Sequence, residues 1–219
     1  MKITSLTTAA LLLASSSVFA DGYSYNQTYR VVVTNITKGI SFTPLLAATH
    51  KSSVRYFELG QPASDEIALL AEGGDTGPLS AVLDAQPYKV HSTTVTSGLL
   101  GPGQSVEFEI ESSNRFRYLS FAGMLLPTND SFVALNAVPL PWFQSSTYFA
   151  RGYDAGSETD DELCVNIPGP TCGGEGASPG ATGEGYVYIS PGIHGEGDLS
   201  PAAYDWRDAV AKVTITRVH

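Results

Sequence analysis

Residues 106–111 alternate strictly: Val106, Phe108 and Ile110 stand against Glu107, Glu109 and Glu111. Successive side chains of a strand point to opposite faces, so this is a strand with one face in a core and one in water. The same period of two recurs where Tyr29, Val31 and Val33 alternate with Arg30, Val32 and Thr34. It returns near the C-terminus, where Val213 and Ile215 alternate with Lys212, Thr214 and Thr216. Further strands are expected at residues 54–59, 88–95, 116–124, 132–138, 146–150 and 186–190, separated by turn signals such as Gly101-Pro102-Gly103. Many short strands with Gly/Pro turns predict an all-β, antiparallel sandwich.

One segment breaks this pattern. Ser64 followed by Asp65, Glu66 and a run of Ile, Ala and Leu to Gly73 predicts a short helix, capped by Ser64 and stopped by glycine. Pro78 predicts the start of a second helical turn. Both read as insertions on a single β domain. Residues 168–185, rich in Gly, Pro, Ser and Thr, read as a mobile loop.

The N-terminus has the layout of a secretory signal: Lys2, an apolar stretch through Leu11-Leu12-Leu13, then Val18-Phe19-Ala20 before Asp21. The stretch is too short to span a bilayer. No cysteine follows the cut to take a lipid. The expectation is a signal peptide at residues 1–20 and an exported, secreted or periplasmic domain at 21–219, with no later membrane span. The formal net charge is −10, and losing Lys2 makes it one unit more negative. Such a surface argues against nucleic acid and anionic lipid as partners. Acid is concentrated late: residues 154–208 hold eleven of the 22 Asp and Glu, against Arg207 alone. The run Glu158-Thr159-Asp160-Asp161-Glu162 reads mostly as a solvated loop. Cys164 and Cys172, the two cysteines, lie close together; in an oxidising compartment they predict one local disulfide.

No Gly-x-Ser-x-Gly elbow, His-Glu-x-x-His pair or phosphate-binding glycine loop occurs, and His50, His91, His194 and His219 are too dispersed in sequence to propose a metal face. Paired carboxylates acting on glycans remain an alternative. Two loop segments carry more specific chemistry. Pro127-Thr128-Asn129-Asp130 breaks a strand with turn residues, and Asp154-Ala155-Gly156-Ser157-Glu158 places two acids four apart around small residues. A tight turn there lets Asp154 and Glu158 face one point, with Asp130 on an adjacent loop. A hard cation such as Ca²⁺ wants six to eight oxygens of this kind. His50 reads as a satisfied structural histidine and His194 as a loop-fixing one. Trp206 reads as core, and Trp142, after Pro139-Leu140-Pro141, as a possible stacking platform for sugar.

From Thr28 to Val218 the chain resembles the spondin N-terminal domain family, as a stand-alone member of bacterial type. The likeness is carried, in order, by Phe57-Glu58-Leu59-Gly60-Gln61-Pro62, Gly123-Met124-Leu125-Leu126-Pro127-Thr128-Asn129-Asp130, Asp154-Ala155-Gly156-Ser157-Glu158, Gly192-Ile193-His194-Gly195 and Asp205-Trp206-Arg207. The resemblance implies a C2-like β-sandwich, a non-catalytic role in extracellular adhesion or recognition of a protein or glycan, and a bound calcium. The family's Pro-x-x-Asp and Asp-Ala-Gly-x-Asp turns fall on Asp130, Asp154 and Glu158. Glu158 departs from the usual Asp by one methylene, and Phe132 stands near the family's Trp. A purely structural envelope or matrix protein is the remaining alternative.

Overall fold

The computed structural model describes residues 26–178 and 182–218; the expected signal peptide lies outside them. Among the described residues, ten strands occur in chain order: β1 (Asn26–Asn35), β2 (Ser41–Phe42), β3 (Leu46–His50), β4 (Val90–Val95), β5 (Ser105–Ser113), β6 (Tyr118–Leu126), β7 (Ser131–Pro139), β8 (Ser145–Asp154), β9 (Tyr188–Ile189) and β10 (Ala209–Arg217). Helices α1 (Asp65–Gly73) and α2 (Gly77–Asp84) lie between β3 and β4, and a single turn, α3 (Pro201–Tyr204), precedes β10. All pairings are antiparallel, in the order β4-β3-β6-β7-β8-β10-β1-β5, with β2 added to β6 and β9 to β8. The two ends of this order approach each other: β4 lies against β5, and the Thr49 hydroxyl donates to the Glu111 carbonyl at 2.6 Å. The sheet is thus nearly closed into a barrel-like shape. The all-β antiparallel expectation holds, while the pairing draws no boundary between the two sheets of a sandwich.

Register explains which side chains fill the interior. Val31 stands opposite both Phe108 and Ile215, and Val33 opposite Val106 and Val213, so the alternations read from sequence share one inner face. Phe121, Leu125, Val133 and Leu135 join them from β6 and β7. These central strands are buried on both faces, because α1 and α2 cover their outer side: Leu46, Ala48, Ala122, Phe132 and Ala134 pack with Ile67, Leu70, Leu79 and Leu83. Continuous apolar runs replace alternation for that reason.

Helix α1 starts as expected, with the Ser64 hydroxyl accepting the Ile67 N–H and Asp65 and Glu66 in its first turn. It stops one residue later than expected, at Gly74, whose φ of 70° is left-handed. Residues 54–59 are not a strand. The Asn136 side chain accepts the Tyr56 N–H and donates to the Phe57 carbonyl. It thereby supplies backbone partners that a ladder would have provided. Tyr56 and Phe57, adjacent in sequence, are both buried, which a strand with one buried face does not allow. The strand expected at 186–190 shortens to β9.

Cys164 and Cys172 form the expected disulfide. Its loop is not loose. Gly173, Gly174 and Glu175 donate to the carbonyls of Gly169, Ile167 and Val165, Ile167 is fully buried, and the Ser178 N–H reaches the Glu72 carboxylate on α1. The expectation of a mobile segment is corrected by these bonds for residues 168–178. Because the bridge closes a short loop already held in place, Cys164→Ser should cost at most about 2.5 kcal/mol and leave the denaturant m-value unchanged. Urea melts of both proteins check this.

Candidate metal centre

One end of the barrel is built from the β6–β7 turn, the end of β8 and the segment that follows. In the turn, the Thr128 hydroxyl donates to the Leu125 carbonyl and accepts the Ser131 N–H. This fixes Asn129 and Asp130 so that both side chains read the backbone of residues 157–162. Asp130 Oδ2 accepts the N–H groups of Ser157 (2.7 Å) and Glu158 (3.0 Å) and the Ser157 hydroxyl (3.1 Å). Asn129 accepts the Glu162 N–H and donates to Asp161. Asp154 arrives from the other side at the end of β8, paired with Ser131 on β7 and Tyr188 on β9. Its Oδ1 accepts the Gly156 N–H at 2.9 Å and its Oδ2 the Ser131 hydroxyl at 3.3 Å.

The acidic run after Gly156 is not a solvated loop. Glu158 and Glu162 are buried. Glu162 accepts the N–H groups of His194, Gly195 and Glu196, and Asp161 accepts bonds from Asn129, Leu163 and Asn166. In this run the carboxylates take the place of strand partners, tying the segment down.

Carboxylate oxygens of Asp130, Asp154 and Asp160 lie within 4.8 Å of one another. Oxygens on opposite sides of a calcium ion stand up to about 5 Å apart, since calcium–oxygen distances are about 2.3–2.6 Å. The cluster therefore has the dimensions of one shared cation. Asp130 and Asp154 are wholly buried, yet Asp130 Oδ1 has no hydrogen-bond partner, the state of an oxygen lacking a ligand. All three donors are hard carboxylate oxygens, which suits Ca²⁺ or Mg²⁺ over thiolate-seeking metals. The residues fit a divalent cation.

Electrostatics point the same way. Burial raises the Asp154 carboxyl to about 9, aided by the charges of Asp130 and Asp160. Burial raises Asp130 to about 6, the Asp160 charge adding to it and the Glu158 and Ser157 N–H groups opposing it. Asp160 is also raised, chiefly by burial, and its oxygen accepts the Tyr188 hydroxyl at 3.2 Å. Without a cation, the cluster holds protons to limit its own repulsion.

Asp130 and Asp154, expected from sequence, are thus brought together, with Asp160 as the third member. Glu158 is not in that group. Its N–H serves Asp130, while its side chain lines an adjoining recess of about 300 Å³ with Asn129, Asp161, Asn166 and Ser178. Its Oε1 is buried without a partner, and burial first, then the charges of Glu72, Asp130 and Asp161, raise it to about 7. His50 is the satisfied histidine expected, bonded to the Lys51 carbonyl and the Ser120 hydroxyl. Trp206 packs in the core. His194 is exposed, and its main-chain N–H is what reaches Glu162.

A family model, Spondin_N, matches residues 23–167, about two thirds of the chain, and the chain belongs to that family. Both acid-bearing turns, and Asp160, fall inside the matched span. No curated protein matches the chain.

Proposed function

We propose that this protein is an exported, non-catalytic recognition module of the spondin N-terminal type, whose loop end is locked by one calcium ion. The observation that carries the reading is the buried carboxylate cluster of Asp130, Asp154 and Asp160 with its orphaned oxygen. A cation there ties the β6–β7 turn to the segment after β8 and relieves the repulsion that raises the carboxyls. Glu158, the ligand expected from the family pattern, stands beside this cluster and in our reading supports it through Asp130 or joins it when the ion is bound. A carboxylate-dependent glycosidase is disfavoured, because a sugar ring has no access to wholly buried Asp130 and Asp154. The Cys164–Cys172 disulfide supports export, and no helix among the described residues is long and apolar enough to cross a membrane.

Thermal melting in chelator, calcium and magnesium tests this on the wild type, Asp160→Asn and Glu158→Gln. Calcium at about 100 times its dissociation constant should stabilise the wild type by about 2.7 kcal/mol. Magnesium should do less, since it demands a smaller octahedral shell. Asp160→Asn should lose most of the calcium gain. Glu158→Gln separates the two ligand sets: a retained gain assigns the ion to Asp130, Asp154 and Asp160, and a lost one makes Glu158 a ligand too. A wild type indifferent to calcium contradicts the proposal.

A further inference from the structure

We propose that the end of the barrel opposite the carboxylate cluster binds an anionic polysaccharide, one bearing uronate or sulfate groups. This deepens the recognition role proposed above and rests on it. Strand β7 runs nine residues from one end to the other, about 27–30 Å at ~3.3 Å per residue. The far end gathers the chain before β4, the β5–β6 and β7–β8 turns, and the close of β3 and β10, as the pairings of His50 with Tyr118 and Val90, and of Tyr118 with Pro139, require.

Charge is segregated between the two ends. The protein is acidic overall, yet residues 50–57, 85–106, 112–129 and 131–153 contain no Asp or Glu and none follows Asp208; exposed Glu111, opposite Thr28 near the close of β5, is an acid that does lie at the far end. Lys51, Lys89, Arg115, Arg117 and Arg217 all lie at the far end, where the Lys51 N–H donates to the Lys89 carbonyl. The acids of the metal end are several Debye lengths away at physiological salt, about 8 Å each. A polyanion approaching the far end therefore meets five cations against Glu111.

That surface interleaves cations with rings. The Lys51 ammonium lies 5.6 Å from the Phe116 ring centroid, and the His91 ring 5.1 Å from it. The next residue, Arg117, holds its guanidinium 4.2 Å from the Trp142 ring centroid, and Arg217 donates to the Trp142 carbonyl. The result is a strip running from Lys51 through Phe116 and Arg117 to Trp142, continued by Phe143, which is 76% exposed. Rings of this kind stack on the C–H faces of sugars, and guanidinium groups fork onto carboxylate or sulfate. A polysaccharide offers both along a narrow chain. The strip favours it over a lipid surface: two of its rings carry cations and so do not form an apolar wedge, and export places the protein away from the anionic cytoplasmic leaflet.

The test is affinity chromatography and calorimetry of the mature protein with heparin, polygalacturonate, neutral dextran, and phosphatidylcholine/phosphatidylglycerol vesicles. Wild type should bind heparin or polygalacturonate, be released by salt, and ignore dextran. The exposed double change Arg115→Glu/Arg117→Glu, and separately Trp142→Ala, should each weaken binding by about tenfold or more, with the calcium response in melting unchanged. Absence of wild-type binding to both polyanions overturns the proposal, as does equal binding by the variants. Binding to vesicles alone reassigns the strip to membranes and overturns it too. Loss of polyanion binding in Asp154→Asn would move the ligand to the metal end and overturn it as well. Loss of the calcium response alone would count only against the metal reading.

Discussion

Chelated protein should lose stability steadily as pH rises from about 4 to about 9. An acid whose folded pKa lies above its unfolded value binds more protons folded than unfolded throughout the interval between them, so stability falls with pH there and levels off above it. For Asp154 that interval runs from 3.8 to about 9, for Asp130 from 3.8 to about 6, and for Glu158 from 4.5 to about 7. The slopes add below pH 6, and Asp154 alone among these three sustains the decline above pH 7. His50 acts oppositely: burial lowers its pKa from 6.5, so it contributes a gain as pH rises toward 6.5. Asp154→Asn should flatten the upper limb and make the chelated protein more stable than wild type at pH 8, by several-fold in the folding equilibrium. With calcium present the wild type should lose this decline, because the ion competes with protons for the same oxygens. Urea melts at pH 5, 6.5 and 8, with chelator and with calcium, measure all of this. A chelated stability that rises from pH 7 to 9 would count against the buried cluster.

The second large effect is expected at Gly156. Its φ of +63° is left-handed, and a Cβ there would sit 2.4 Å from the Tyr186 carbonyl oxygen and 2.9 Å from its nitrogen. Both contacts are backbone and cannot rotate away. Gly156→Ala combines the conformational penalty with overpacking, and should cost about 2–4 kcal/mol. It should also blunt the calcium response, since the Gly156 N–H holds Asp154 Oδ1 and its carbonyl accepts the Gly185 N–H. Gly185→Ala, where a Cβ meets nothing within 4 Å but φ is also positive, isolates the conformational part and should cost about 1–2 kcal/mol. Equal losses in the two variants would show that the close approach to Tyr186 has no energetic role.

Where one face of a strand meets water, the sequence was readable. The alternating strands β1, β5 and β10 face solvent on their outer side; their inner residues are buried in β1 and β10, while in β5 Ile110 is buried and Val106 and Phe108 are half-buried against the core. Strand β3 was missed because Leu46-Ala47-Ala48-Thr49-His50 is buried on both faces and so carries no period. The segment at 54–59 was misread because Val54, Tyr56 and Phe57 pack with the helices while the Asn136 amide serves the backbone of Tyr56 and Phe57, a long-range partner with no local signature. Asp130 and Asp154 were legible because turn chemistry marks their positions. Asp160 was not, since a carboxylate in an acidic run looks solvated until Asn129 and Asp130 are seen gathering that run's N–H groups. The matching turn pattern drew attention to Glu158, which stands two residues earlier on the same segment.

The most direct measurement is a crystal structure grown in calcium, with anomalous differences used to locate the ion. The proposed calcium site requires one strong peak at about 2.3–2.6 Å from carboxylate oxygens of Asp130, Asp154 and Asp160, with Asp130 Oδ1 no longer unpartnered. The same map shows whether Glu158 reaches the ion. No peak at this end of the barrel, or a peak bound only by exposed acids such as Glu184 or Glu196, would contradict it.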